Sequence, residues 1–343
     1  VPNKGESGAV AVYGAAGHTG RFVVAELIRR GLTPIAVGRD PAKLAATQPP
    51  GQAIACRVAS VDDAPSLDRA FAGAAAVINC AGPFLDSADA VASAALRTGL
   101  HYLDVSAEQA SAQAVLEKFD APAREAGVAV VPAMGFYGGF ADLLVTAALG
   151  DWDQADAIDI AIGMDSWHPT EGTRTTGKRN TARRVVVTGG KISPLALPAA
   201  KIQWDFPAPL GGQTVEEVPF SEIILIARHV KVGELHTYLS DVGLADIRNP
   251  KTPTRKAMDA TGRSSQRFAV SAVVRHGKER RRIIAEGRDI YAFSAPLVCE
   301  AAARLMAGTF SAPGARAPGE IFRALDFLDA LAPEHLTFEI RTE

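Results

Sequence analysis

Three cysteines in 343 residues, Cys56, Cys80 and Cys299, form no CxxC pair, so neither a disulfide framework nor a metal site is expected. A reducing, cytoplasmic setting suits such thiols. The net charge of −2 creates no field that would favour nucleic acid or an anionic membrane, which leaves a small molecule as the expected partner. No apolar run approaches the roughly 18 residues that a membrane-spanning helix needs, because Arg, Asp or Glu interrupts each one. Residues Val1 to Gly8 carry neither the apolar core nor the basic lead of a signal peptide and are expected to be a loose tail. HExxH, GxSxG and GxxxxGK(S/T) are absent, which removes zinc hydrolysis, an esterase elbow and nucleotide hydrolysis from consideration. No repeat of fixed period is visible either.

What is present is enough apolar material for a large interior. With 48% hydrophobic residues the chain fits two domains better than one. From Ala9 to about Gly135, short apolar runs alternate with longer amphipathic ones, the pattern of repeated βαβ units. Six strands are predicted at residues 9–13, 33–37, 53–58, 76–79, 101–105 and 128–132. A helix over 17–30 fills the first gap, with Phe22, Leu27 and Ile28 inward, Arg29 and Arg30 at its negative end and Gly31 as its stop. Asp40 followed by Pro41 reads as the cap and first residue of the next helix. The expected class is α/β, a Rossmann-type doubly wound parallel sheet over residues 1–150.

After Gly150 the texture changes. Residues 151–166 include an alternating run and 173–184 are polar and basic. Gly189 and Gly190 lie between two strand-like stretches, a two-residue hairpin signal, and His276 with Gly277 lies between the stretches 266–275 and 279–286. A second, mixed α+β domain of largely antiparallel sheet is therefore expected over 151–289, for substrate binding and dimerisation. Arg280, Arg281 and Arg282 on the second hairpin are expected to face water or a partner subunit. Helical pattern returns at 294–306 and, after a Pro/Gly-rich connector at 312–319, again at 320–331. Residues 290–343 are expected to pack as helices on the first domain.

The sharpest motif is Gly14, Gly17 and Gly20, a GxxGxxG spacing directly after a strand and opening a helix. Gly14 permits a tight turn, Gly17 lets backbone N–H groups approach a diphosphate, and Gly20 lets the helix pack close to the sheet. The helix's first amides and positive dipole end then favour the anion, with Ala16, His18 and Thr19 beside it. An acidic residue ending the second strand would bind the ribose diol of NAD; here Gly38 and Arg39 stand there. A guanidinium grips a 2′-phosphate and Lys43 adds a second cation, so NADP is the expected cofactor. Asp62 or Asp63 either borders the adenine or caps the helix that follows. Asn79, Ala81, Gly82 and Pro83 after strand four, and Gly135 after strand six, are the remaining candidate contacts, near the nicotinamide.

Together these segments resemble the saccharopine dehydrogenase-like family, which includes saccharopine reductases and trans-acting enoyl reductases. The resemblance rests on residues 14–39 (GAAGHTGRFVVAELIRRGLTPIAVGR), 77–84 (VINCAGPF), 101–108 (HYLDVSAE) and 132–142 (PAMGFYGGFAD). It implies a dinucleotide domain closed by a mixed second domain, a homodimer, and reduction of an imine or activated double bond. The family's serine, proline and aspartate after the sixth strand are replaced by Tyr137, Gly138, Gly139 and Phe140 before Asp142, which argues against the amino-acid substrates of saccharopine reductases.

Hydride transfer asks for geometry, a dry pocket and a proton source. None of the five tyrosines has lysine four residues later, so the acid pair of short-chain dehydrogenases is missing. Tyr137 is the first donor candidate, against a packing role. His168 precedes a glycine turn and could shuttle a proton, against a plain surface position. Arg174, Lys178, Arg179, Arg183 and Arg184 recur at helical spacing as a possible anion clamp, with Lys178 its catalytic candidate, or as a solvated face. The expectation is an NADPH-dependent reductase of a C=N or polarised C=C bond. A silent NADP(H)-binding redox sensor is the rival.

Overall fold

The structure, a computed structural model, describes residues 8–48 and 51–342, so of the expected amino-terminal tail all but Gly8 lies outside the described residues. Strands β1 (Ala9–Tyr13), β2 (Thr33–Gly38), β3 (Ala55–Val58), β4 (Ala76–Asn79), β5 (His101–Asp104) and β6 (Ala129–Val131) form where the apolar runs place them. The helices between them are α1 (His18–Arg29), α2 (Pro41–Ala45), α3 (Ala64–Phe71), α4 (Phe84–Arg97) and α5 (Gln109–Ala126). The strands pair in parallel in the order β3-β2-β1-β4-β5-β6. All but the edge strand β3 are buried on both faces, which is why they read as continuous apolar runs. Strand order reverses between β1 and β4, so a crevice opens above the carboxyl ends of those two strands.

A wide helical turn at Phe136–Phe140 and α6 (Ala141–Leu149) lead into the second sheet. Its strands are β7 (Gln154–Met164), β8 (Val185–Thr188), β9 (Lys191–Pro194), β10 (Lys201–Asp205), β11 (Gly212–Glu217), β12 (Lys231–Ser240), β13 (Arg267–His276) and β14 (Glu279–Arg288). The last two strands of the chain are β15 (Gly314–Ala315) and β16 (Leu336–Thr342). Between these strands lie α7 (Glu171–Arg179), α8 (Glu222–His229), α9 (Asp241–Arg248), α10 (Ile290–Met306), α11 (Pro318–Ile321) and α12 (Ala324–Leu331). The second sheet is mixed: β7 and β12 are parallel and its other pairs antiparallel. Gly189 and Gly190 turn the first hairpin with φ of 58° and 74°, the left-handed pair that such a turn requires. Ile158, Ile160 and Ile162 of β7 alternate inward with Val270, Ala272 and Val274 of β13. They meet α6 and α10 in one core that also holds Val10 and Val12 of β1, so a single apolar interior ties both sheets together. Among the described residues no helix is long and apolar enough to cross a membrane.

Four expectations are corrected. The helix expected over 320–331 is two, because Phe322 leaves the helix at φ −113° and ψ 153° and buries its ring 5.2 Å from that of Phe327. Residues 290–343 are not all helical packing on the first sheet: α10 lies on α1 and β15 extends that sheet beside β6, but β16 returns to pair with β14. The basic stretch 173–184 is helical only to Arg179. Arg281 turns inward, donating to the carbonyl of Leu149 at 2.5 Å and pairing with Asp151, while Arg282, on the opposite face of β14, reaches the carbonyl of Asp205 at 2.6 Å at the surface. An arginine on the last carbonyls of α6 is what a helix C-terminus favours.

Candidate cofactor and active site

The crevice floor is made by backbone approaching backbone. Gly14 has φ of 82°, and a Cβ there would sit 2.9 Å from the backbone nitrogen of Ala81, so the turn after β1 rests directly on the bend after β4. A Cβ on Gly20 would enter the carbonyl of Gly14, which is why the third glycine lets α1 start so close to the turn. Gly17 caps α1 without a side-chain acceptor, and no acidic residue occupies the first helical turn. The first ladder bond runs from Arg21 to Gly17, leaving the amides of His18, Thr19 and Gly20 with no acceptor in the helix. A helix start of this kind could hold a diphosphate.

At the end of β2, Arg39 is exposed, and no hydrogen bond or ion pair engages it among the described residues. Asp40 accepts from the amides of Ala42 and Lys43 at 3.0 and 3.1 Å, so it caps α2, with Lys43 exposed one turn on. Asp63 likewise caps α3 through Ser66. A free guanidinium beside a spent aspartate fits a 2′-phosphate and not a bare ribose diol. Two more of the expected contacts lie just after strands. The Asn79 side chain is wholly buried and committed to the Ala81 amide at 3.0 Å and to Ser87 at 3.1 Å, so it shapes the bend. Gly135 is buried against Val105, where a Cβ would come within 3.2 Å of the carbonyl, so it wedges two strand ends together. Asp104 anchors the same region, accepting from Ser106 and Ala133 amides at 2.9 and 2.8 Å and from the Tyr102 hydroxyl at 2.9 Å. Glu108 caps α4 through the amides of Phe84 and Leu85, at 2.8 and 3.3 Å.

The cover comes from the second half of the chain. A Cβ on Gly82 would meet the Thr176 hydroxyl at 2.9 Å, so α7 lies over the bend at Gly82 and Pro83. Arg179 fixes that helix to α4 by a forked pair with Asp86 at 2.8 and 3.2 Å. Thr170 caps α7, and Thr173 shares the Tyr291 hydroxyl with Trp167 at 2.8 and 2.9 Å. The expected arginine clamp is not formed as such. Arg174 reaches the carbonyl of Thr252, Arg179 takes Asp86, and Arg184 stacks beneath Phe220 at 4.8 Å. Lys178 and Arg183 are exposed.

Tyr137 lies between Phe220, with ring centroids 4.2 Å apart, and Trp167 at 5.4 Å. Its hydroxyl is buried with no hydrogen-bond partner, and burial drives its pKa well above the usual phenol value, with Tyr291 and Glu222 adding to the effect. Glu222, fully buried, spends one oxygen on the Phe220 amide at 2.8 Å and leaves the other without a partner. His168 borders a cleft of about 260 Å³ that is also lined by Arg255, Lys256, Ser264, Gln266 and Tyr291. Sequence reasoning missed Arg184's burial, Glu222, Arg255, Asp289 and Tyr291. Only Asp289, a helix-capping residue type before an apolar helical run, carried a local signal.

Residues 10–131 match the family model for the saccharopine dehydrogenase NADP-binding domain. A probable mitochondrial saccharopine dehydrogenase-like oxidoreductase of Arabidopsis thaliana is 32% identical over 140 residues, covering 36% of this chain and 31% of that protein. A lipid droplet localized protein of Caenorhabditis elegans is 36% identical over 139 residues, 37% of this chain and 33% of the relative. The match thus spans about a third of the length of these relatives. The apo saccharopine dehydrogenase (L-Glu forming) of Saccharomyces cerevisiae has the same fold, with a TM-score of 0.69 at 13% identity over 97% of this chain and 99% of that one. Over residues 10–131, then, this chain is similar to the NADP-binding domain of saccharopine dehydrogenase, and its cofactor is NADP.

Proposed function

We propose that the protein is an NADPH-dependent oxidoreductase that reduces a C=N or activated C=C bond of a small molecule. The bound nicotinamide would supply the hydride. The chain's own part is to hold the diphosphate on the amides of His18, Thr19 and Gly20, to fix the ribose phosphate through Arg39 and Lys43, and to keep water out beneath α7. In this reading residues 1–150 hold the cofactor, 151–289 cover it and supply the dimer surface, and 290–343 tie the two together.

The observation that carries the reading is the orphaned Tyr137 hydroxyl. A buried O–H without an acceptor is costly unless something absent completes it, and a substrate nitrogen or carbonyl would do so. Because burial keeps the phenol protonated at neutral pH, Tyr137 would act as a donor and not as a base. His168, at the rim of the neighbouring cleft, and Lys178, exposed on α7, are the further candidates for moving the proton or orienting an anionic substituent.

Tyr137→Phe tests this. With a panel of imines, enones and ketones followed by loss of nicotinamide absorbance, turnover is expected to fall about 100-fold or more while NADPH affinity stays native. Native turnover in the variant would remove Tyr137 from the chemistry. The rival reading, a sensor that binds NADP(H) without turning it over, draws on how fully Phe220 and Trp167 fill the space beside Tyr137. Tight NADPH binding with no oxidation across the whole panel would favour it.

A further inference from the structure

We propose that Arg255, carried by the long connection between α9 and β13, is a cofactor-diphosphate ligand that reaches the glycine turn from the second half of the chain. The proposal rests on the reading that the dinucleotide lies at the start of α1.

Arg255 sits far from the glycine motif in sequence, yet its guanidinium donates through Nη1 to Nε2 of His18, the first residue of α1. It is 7% exposed, pairs with the wholly buried Asp289, and donates to the carbonyl of Gly262 at 3.0 Å. Its flat face lies 5.5 Å from the ring centre of Phe22, one turn along the same helix. Asp289 is held in turn, accepting from the amides of Tyr291 and Ala292 at the head of α10 and from Ser264. The arginine is therefore clamped against the start of α1 from three sides. Its Nε–H nevertheless has no acceptor, although it is buried. Buried guanidinium donors are rarely left so, and an anion at the helix start is the group that would complete it.

A hydrogen-bond donor, and not net charge, is what Arg255 adds to the turn. A diphosphate brings two negative charges to a site where the helix end offers only a partial positive one. Arg39 lies at the end of β2, placed for the ribose phosphate, and because Arg255 and Asp289 form a pair that is neutral overall, Arg255 would serve the diphosphate through its unpartnered Nε–H. His18 accepts from Arg255 and is thereby the neutral tautomer with its proton on Nδ1, a state that burial and the neighbouring guanidinium favour by lowering its pKa to about 4. The imidazole thus passes on the arginine's position without adding a charge that repels it. Because Arg255 belongs to the 249–266 connection, loading the diphosphate would also fasten that connection over the crevice.

The test compares NADPH with NADH, which share the diphosphate and differ in the 2′-phosphate. Titrated by fluorescence, Arg255→Met is expected to weaken both by a similar factor, about 10- to 100-fold. Arg39→Ala should weaken NADPH alone, and Arg255→Lys should recover part of the loss. Independently of any variant, NADPH should slow amide hydrogen exchange across residues 249–266 of the native protein, and Arg255→Met should abolish that protection. Native affinity for both dinucleotides in Arg255→Met, or exchange in 249–266 that ignores NADPH, would overturn the role given to Arg255 while leaving the crevice assignment intact. If the unaltered protein binds neither dinucleotide, the crevice assignment itself fails and takes this proposal with it.

Discussion

Along the floor of the crevice, Gly14, Gly17 and Gly20 bring backbone against backbone, so that single missing Cβ atoms define the shape. Over the cover, Thr176, Arg179 and Arg255 arrive as side chains, two of them from a helix with no buried residue and one from a long connection. The floor is continuous with a core of buried strands, whereas α7 is held by its cap, one forked ion pair, the Arg174 bond to the Thr252 carbonyl and a few hydroxyl contacts. The difference teaches where each kind of change will register. Alterations to the floor act on folding and on binding together; alterations to the cover act on binding or turnover with the fold intact.

Gly20→Val gives the largest expected effect. Its side chain would collide with the Gly14 carbonyl and the Ala15 backbone, neither of which can yield, so a stability loss of about 3 kcal/mol with loss of NADPH binding is expected in urea unfolding and fluorescence titration. A stable, binding-competent variant would show that the floor is less closely packed than its backbone distances indicate. Asp104→Ala comes next, at about 2–3 kcal/mol, because two amides and the Tyr102 hydroxyl lose their acceptor in a site without water access.

Proton linkage separates the halves further. Burial lowers both His18 and His101 to about 4, and His101 accepts the Ala129 amide through Nδ1 at 3.0 Å, which a protonated ring could not do. The unfolded chain therefore takes up these protons first, and stability should decline as pH falls from about 6.5 towards 4. His229 behaves oppositely. Burial works against its charge, but Asp142 at 2.7 Å outweighs burial and holds its pKa above the ordinary value. His236 is raised as well, by its bond to Glu217. Their contribution is complete below the unfolded value and fades as pH climbs through the folded one. Urea midpoints measured from pH 4 to 9 should fall on both sides, with His101→Gln flattening the acid arm and His229→Gln the alkaline arm. A midpoint indifferent to pH would contradict both.

Arg179→Ala should move the thermal midpoint least, since its pair with Asp86 lies at the surface. Faster proteolysis within residues 171–179 and a raised KM at unchanged stability are expected. A large fall in the midpoint would mean that the cover is part of the folding core.

Much of the floor was legible because its determinants are local. A glycine at each of three spaced positions, a strand before and a helix after are decided within about one turn of chain, and Asp40 announces its cap by the proline that follows it. The cover was legible only as a change of texture. Arg174, Arg179 and Arg184 share a helical spacing, yet their partners are Thr252, Asp86 and Phe220, each supplied by a different segment. Asn79 ends β4 and Gly135 follows β6, but whether they face the crevice or the interior depends on neighbours in other strands.

The amino-acid sequence by itself determined the parallel sheet, its glycine turn and the cationic residue that ends β2, since periodicity, turn chemistry and charge act over a few residues. Tertiary structure alone decided that Tyr137 would be stacked with an unpartnered hydroxyl, that Arg255 would lie against His18, and that the last strand would join the second sheet. Those outcomes depend on which distant surfaces a shared core brings together, and no local pattern encodes the packing of one sheet against another.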